Sequence, residues 1–345
     1  MSTLIGIAAA VASGTCDGSY GAVMKLTKKW EWENIWILFS VIALVILPWI
    51  FAAWSVPELF GVYRKVAWTV LLRIFLFGAG WGLGSVFFGL GLYMLGMSLG
   101  YTVMMGIIAV TGSLVPMLVT NPDSVMTIGG LVIISAMLVT IGGVTVCGFA
   151  GMIRDRSIQK NKVEQQIRYS SFKAGFLVCL LAGIFSAMFN LAFHFGMPIA
   201  QVTSAYLGDA GTVFKNNSPI WSLALLGGFI PNFFYCGYLL VRTGSWQKYG
   251  QPGTYLYWLW GIFMGGIFIS GAMFYGAGAS NLGKLGTTVG WLVFIATGIL
   301  IANLWGVITG EWKFAPSIAR LRMVQGSLLL ALSIILVGLG NYLLE

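Results

Sequence analysis

Charge is scarce in this sequence. Of 345 residues only 8% are Asp, Glu, Lys or Arg, while 58% are hydrophobic. A soluble domain carries about 25% charged residues. So few charges cannot cover a water-facing surface, so most of this surface must face lipid, and the mean hydropathy of +0.90 agrees. Ordinary soluble enzymes, nucleic-acid binders and secreted disulfide scaffolds are thereby excluded. The net charge of +9 does not point to nucleic acid, because the Lys and Arg residues lie mainly between apolar runs. Histidine is limited to His194. The four cysteines, Cys16, Cys147, Cys179 and Cys236, sit far apart inside apolar runs; they suggest neither a disulfide framework nor a metal site. No P-loop is present, and the glycine-rich GAGWGLG at 78–84 lies inside an apolar run with no strand before it, so it is a weak match to a dinucleotide motif. No cofactor is expected. Energy for accumulating a solute has to come from an ion gradient or another subunit.

Long apolar runs are abundant instead. A spanning helix needs about 20 mostly apolar residues, and ten runs qualify: 3–24, 34–55, 69–94, 98–119, 126–149, 173–196, 218–241, 255–279, 285–309 and 323–343. They are continuous and rich in Leu, Ile and Gly rather than alternating, so they read as helices and not as barrel strands. The first run continues through Tyr20 without a cleavage site and reads as a retained helix. Positive charge favours cytoplasmic loops. Of 19 Lys and Arg residues, only Arg64, Lys65, Arg73, Lys215 and Lys284 fall on one side; the rest fall on the other. That bias places both termini outside and the 150–172 linker in the cytoplasm, between a first unit at 1–149 and a second at 173–345.

The two units resemble each other. FGAGWGLGSVFFGLGLYMLG at 77–96 aligns without a gap on MGGIFISGAMFYGAGASNLG at 264–283, a constant offset of 187. Gly78, Gly84, Phe87, Gly89, Gly91 and Leu95-Gly96 meet Gly265, Gly271, Phe274, Gly276, Gly278 and Leu282-Gly283. Gly6 and Gly14 match Gly175 and Gly183 at an offset of 169, and Pro48 echoes Pro231. Five helices is an odd number, so the second unit must enter the membrane from the opposite side. The expected fold is an all-α integral membrane protein of ten transmembrane helices in a 5+5 inverted-topology repeat, a plan common in secondary transporters, with the substrate near the midplane between the halves. The 47 glycines fit close helix packing in lipid.

Residues 74–118, IFLFGAGWGLGSVFFGLGLYMLGMSLGYTVMMGIIAVTGSLVPML, resemble helices 3 and 4 of the L-rhamnose–proton symporter family, within the drug/metabolite transporter superfamily. KKWEWENIW at 28–36, ILPW at 46–49, AGIFSA at 182–187 and GEW at 310–312 are also similar to it. The resemblance implies the drug/metabolite transporter fold, a multi-pass protein of a bacterial inner membrane with both termini periplasmic, and uptake of a monosaccharide with a proton. It also implies several polar residues on helices 3, 8 and 9 that hold the sugar. The matching positions here, Ser85, Phe87, Phe88, Tyr93, Ala272 and Phe294, are mostly less polar, and the resemblance implies no carboxylate at Asp17.

Asp17 is the one acidic residue inside a run; the other nine lie in loops or at ends. An isolated intramembrane carboxylate costs at least about 2.5 kcal/mol on insertion scales, so it must be neutral, paired or wetted by a cavity. Each of these makes Asp17 the candidate proton-coupling group, against the plainer role of an Asp held by Ser19, Tyr20 or backbone donors. His194 matches Lys25 at the offset of 169; a polar anchor fits the histidine better than a relay, and Lys25 reads as a snorkelling anchor. A pyranose has apolar faces and a polar rim, so aromatic faces with hydroxyl and amide groups suit it. The candidates for substrate binding are Trp81, Ser85 and Tyr101 from the first half and Asn190, Tyr275 and Trp291 from the second, although many of the 14 Trp and 13 Tyr must be interfacial belt residues. Export of a metabolite or amphipathic drug is the alternative transport reading. An intramembrane enzyme or sensor is disfavoured, because one Asp and one His supply little of a catalytic constellation.

Overall fold

Helices form throughout, and among the described residues, 2–159 and 172–344, no strand occurs in this computed structural model. α1 (Ser2–Tyr20) passes into a tight 3-10 turn at Gly21–Leu26. α2 (Trp32–Ser40) starts where the Asn34 side chain accepts from the Glu31 amide at 3.1 Å while its Nδ2 donates to Ser245 O. A π-helical stretch, Val41–Ile46, joins α2 to α3 (Leu47–Ser55). Pro48 explains it: proline has no N–H to give and its ring crowds the carbonyl four residues back, so the helix widens just before it. Then follow α4 (Leu59–Arg64), α5 (Trp68–Leu95), α6 (Met97–Thr120), α7 (Ile128–Gln159), α8 (Phe172–Leu207), α9 (Val213–Thr243), α10 (Tyr255–Asn281), α11 (Gly286–Ile308) and α12 (Ser317–Tyr342).

Nine helical spans among the described residues, counting Trp32–Ser55 as one, are long and apolar enough to cross a membrane. The chain is an all-α, multi-pass membrane protein. α1 is not among the nine. It has 19 residues, and Asp17 with several Gly, Ser and Thr dilutes its apolar character. It nonetheless packs lengthwise on α10 and α11.

Three ends differ from expectation. α7 continues as helix through Gln159, ten residues into the expected linker, and the remainder of that linker, 160–171, lies outside the described residues. Here Arg154 bonds Asp155 at 2.9 Å and Glu311 at 3.3 Å and lies 4.8 Å over the Trp312 ring, so the last turns of α7 have partners beyond the apolar run. α8 runs on to Leu207 past Pro198. α12 starts at Ser317, because Arg320 and Arg322 sit on its first turns, where long cationic side chains reach water.

Glycine decides which helices meet. α5 crosses α9 with Gly78 against Ala224 and Gly82 against Gly228, and crosses α8 with Gly84 against Ser186. α1 meets α10 through Gly6 and Gly278 and meets α11 through Gly14, Gly18 and Gly298. α7 and α12 form a peripheral pair, with Gly129 against Gly340 and Leu344, and Gly143 against Leu330. α10 and α11 are the most enclosed spans, 67% and 56% buried, against 28% for α12. They form the centre around which the remaining helices pack.

Candidate functional site

α1, α2, α5, α6 and α11 do not close on one another over their whole length, and a cavity of about 550 Å³ lies between them. At one end it is bounded by Lys25, Trp32, Trp305 and Glu311, next to the positively charged connections. It runs inward past Tyr20, Trp36, Tyr101, Met105, Ser85 and Asp17 and stops at Phe189, Phe268, Trp291 and Phe294. A narrow extension between Gly271, Ala272, Phe268 and Phe294 also begins at Asp17.

Asp17 sits on α1 facing this space, with Gly298 of α11 behind it: a Cβ at residue 298 would come 3.2 Å from Asp17 Oδ2. Among the described residues no hydrogen bond or ion pair reaches the carboxyl. Ser19 turns away, donating to Thr15 O at 2.7 Å and accepting from Trp305 Nε1 at 2.9 Å. Lys25, expected as a snorkelling anchor, stands at the mouth, bonded to Thr309 Oγ1 at 2.9 Å and paired with Glu311 at 2.5 Å.

One wall carries a polar cluster. Trp36 Nε1 donates to Asn232 Oδ1 at 2.8 Å. Ser85 Oγ lies 2.8 Å from the same oxygen and 2.7 Å from Gly82 O. Asn232 Nδ2 donates to Gly228 O at 2.9 Å. Beside this cluster the Trp81 ring stacks on Phe268, with centroids 5.8 Å apart and 20° between the planes. Around the remainder the lining is mostly apolar, with Phe88, Leu92, Met105 and Ile108 beside Tyr20, Tyr101 and Ser186. A flat aromatic surface, a hydroxyl–amide cluster and a carboxyl with no partner among the described residues, in a mostly apolar cleft, suit a small neutral molecule with hydroxyl groups.

Of the sequence candidates, Asp17, Trp81, Ser85, Tyr101 and Trp291 line the cavity. Asn190 and Tyr275 do not. Both are fully buried beyond its closed end, where Asn190 Nδ2 donates to Gly112 O at 2.6 Å and Thr287 O at 3.1 Å, and the Tyr275 hydroxyl bonds Asn190 Oδ1. Their polar groups satisfy each other, so they belong to a plug that seals this end. His194 joins it through Nδ1, 2.8 Å from Thr287 Oγ1. Trp291 reaches both regions: it lines the cavity, with Nε1 donating to Ile108 O at 2.9 Å, and its ring lies 5.7 Å from the Tyr275 ring.

Sequence reasoning did not single out Asn232, Trp36, Tyr20 or Ser186. Asn232 had a local signal, an amide inside an apolar run directly after Pro231. Ser186 had one too, because it matches Asp17 at the offset of 169. Trp36 and Tyr20 were indistinguishable by type from the belt aromatics.

A multi-pass helical bundle with a half-closed, sparsely polar cleft defines a membrane transporter. The L-rhamnose-proton symport protein (RhaT) family model matches residues 1–342, and the chain belongs to that family. It is 28% identical over 341 residues to the L-rhamnose-proton symporter of Pectobacterium atrosepticum, covering 95% of this chain and 94% of the relative. The L-rhamnose-proton symporters of Pectobacterium carotovorum subsp. carotovorum and Yersinia pestis are each 27% identical over 336 residues, with the same coverage. The family is one of symporters, so the protein is not an enzyme.

Proposed function

We propose that this protein takes up a monosaccharide, L-rhamnose or a related deoxysugar or hexose, together with a proton by alternating access. The observation that carries this reading is the cavity itself: it brings Asp17 to the same cleft as Trp81 and the Ser85–Asn232 cluster, so a sugar and a proton share one compartment. Its relatives' names supply the substrate class. Trp81 and Phe268 offer an aromatic surface to an apolar sugar face, Ser85 and Asn232 meet hydroxyls on the rim, and Asp17 carries the coupled proton.

The fold belonging to this reading is ten helices in two inverted halves, 1–149 and 173–345, of the drug/metabolite transporter type. Packing supports it. α1 lies on α10 and α11 as α8 lies on α5 and α6, which is the pattern a half-for-half exchange produces. Gly91 meets Cys179 and Gly278 meets Ala10, matched pairs at the offsets of 187 and 169. Trp81 and Phe268, matched at 187, stack on each other, as residues astride a two-fold axis in the membrane plane do. Positive charge beside the open end favours the cytoplasm for that end; in this reading both termini are outside and the cavity faces inward.

Uptake by a transport-deficient host decides the matter. The expected result is sugar-dependent proton entry and accumulation of L-rhamnose or a close relative, collapsed by a protonophore. Tolerance to amphipathic drugs without sugar uptake would instead establish an exporter and overturn the proposal.

A further inference from the structure

The outer seal has a counterpart in the first half whose groups stand apart. GYTVMMGIIAVTG at 100–112 of α6 aligns on GTTVGWLVFIATG at 286–298 of α11, an offset of 186. Gly100, Thr102, Val103, Thr111 and Gly112 meet Gly286, Thr288, Val289, Thr297 and Gly298. Tyr101 thus matches Thr287, and Lys25 matches His194. His194 and Thr287 are 2.8 Å apart and tie α8 to α11. No comparable packing ties α1 to α6; the cavity lies between them, lined by both Lys25 and Tyr101.

Helix register differs between the halves in the same sense. Gly14 lies against Phe294, Thr297 and Gly298, whose matches on α6 are Ile108, Thr111 and Gly112. Gly183, the match of Gly14, lies instead against Met104 and Ile107. Likewise Asn190 bonds Gly112 O, whereas Gly298 meets Gly18 and Asp17 rather than Gly21, the match of Asn190. The difference is about four residues, one helical turn or roughly 6 Å. The halves therefore hold two arrangements of one motif, and exchanging them converts an inward-open protein into an outward-open one.

We propose that Lys25 and Tyr101 are the inner gate: in the outward-open state α1 shifts by one turn against α11, and Lys25 Nζ leaves Glu311 and Thr309 to bond the Tyr101 hydroxyl. This rests on the alternating-access reading above. Both present partnerships of Lys25 are solvent-exposed, and exposed ion pairs exchange at little cost. Tyr101 is already held edge-on by Phe88, centroids 6.0 Å apart, and Phe88 matches Tyr275, which bonds Thr287 O in the outer seal at 3.3 Å.

The test places paired cysteines in a chain whose four native cysteines are replaced, and reads links by mass spectrometry after treatment with a short bifunctional thiol reagent. Lys25→Cys with Tyr101→Cys should link, and the link should lower sugar exchange at least tenfold until it is reduced. His194→Cys with Thr287→Cys should do the same from the other face. In the chain carrying all four, one link should exclude the other. As a second measure, a bulky maleimide on Lys25→Cys alone should stop exchange, while the same adduct on Leu26→Cys, one residue away and exposed, should leave it near the unmodified rate. Absence of the 25–101 link where the 194–287 link forms, coexistence of both links, or undiminished exchange with the adduct on Lys25→Cys overturns the gate. Mutually exclusive links in a protein that moves no sugar would leave the gate standing and remove the substrate assignment.

Discussion

Asp17 was singled out by cost: a carboxylate in an apolar run needs a reason to be there. The bundle leaves it facing the cavity without a partner among the described residues, so in the proposed mechanism its chemistry is left to water, the proton and the substrate. Asp17→Asn imitates the protonated form. Equilibrative sugar exchange across the membrane should persist, within about threefold of the parent, while proton-driven accumulation is lost and the pH dependence of uptake flattens. Accumulation to the parent level with an unaltered pH profile would remove Asp17 from coupling. Asn190 belongs to the seal and behaves differently. Asn190→Leu leaves Gly112 O without its donor in a dry interior, since Pro116 has no N–H to offer it, and leaves the Tyr275 hydroxyl only its longer bond to Thr287 O; an orphaned buried group costs about 1–3 kcal/mol. In the proposed orientation and alternating-access cycle, that penalty falls on the state closed to the outside. The variant should therefore favour the outward-open form, read as faster labelling of a cysteine introduced into the cavity lining by an impermeant reagent added outside. Unchanged outside labelling would show that the seal does not depend on Asn190.

Among the elements, the crossing of α5 with α9 is the least forgiving. A Cβ at Gly78 would fall 1.9 Å from Ala224 O, and one at Gly82 would fall 2.4 Å from Gly228 O. Both obstacles are backbone, so the helices themselves must separate. Gly82→Val should destabilise the purified protein by about 1–3 kcal/mol, the range for overpacking, and loosen the Ser85–Asn232 contact that this crossing sets. Thermal unfolding in detergent checks the first, and sugar-dependent protection from unfolding checks the second. The nine long spans among the described residues were legible in the sequence because each is a long apolar run, and the Pro48 distortion follows from proline's missing donor. Their ends were less so. Arg154 and Arg320 look like loop residues by composition, yet each rides on a helix extended past the apolar zone, where Glu311, Trp312 or water receives the charge. Asn190 and Tyr275 looked like sugar ligands for a similar reason. Polar and aromatic residue types do not reveal whether they face a ligand or each other.

For the whole molecule, the expected orientation has a direct check. A reporter active only in the cytoplasm, fused after Glu345, should be silent, and the same reporter inserted near residue 165 should be active. The reverse pattern would turn the protein over and make the present cavity outward-facing. Composition, the ten apolar runs, the charge bias and the glycine repeat were all present in the one-dimensional chain, because lipid imposes them locally: a span must be apolar, about 20 residues long and flanked by charge on the proper side. Family membership was legible at helices 3 and 4 for the same reason, since close-packed glycines cannot drift without separating helices. What only the tertiary structure decided was which in-span polar groups share a cavity and which seal it. Asp17 and Asn232 lie 215 positions apart in the chain and line one cleft, while Asn190, with an equally apolar neighbourhood in sequence, is spent on closing the far side. In the proposed two-half arrangement that division depends on a register difference of one helical turn, and register between helices distant in sequence is set by how side chains interlock, not by the composition of either helix.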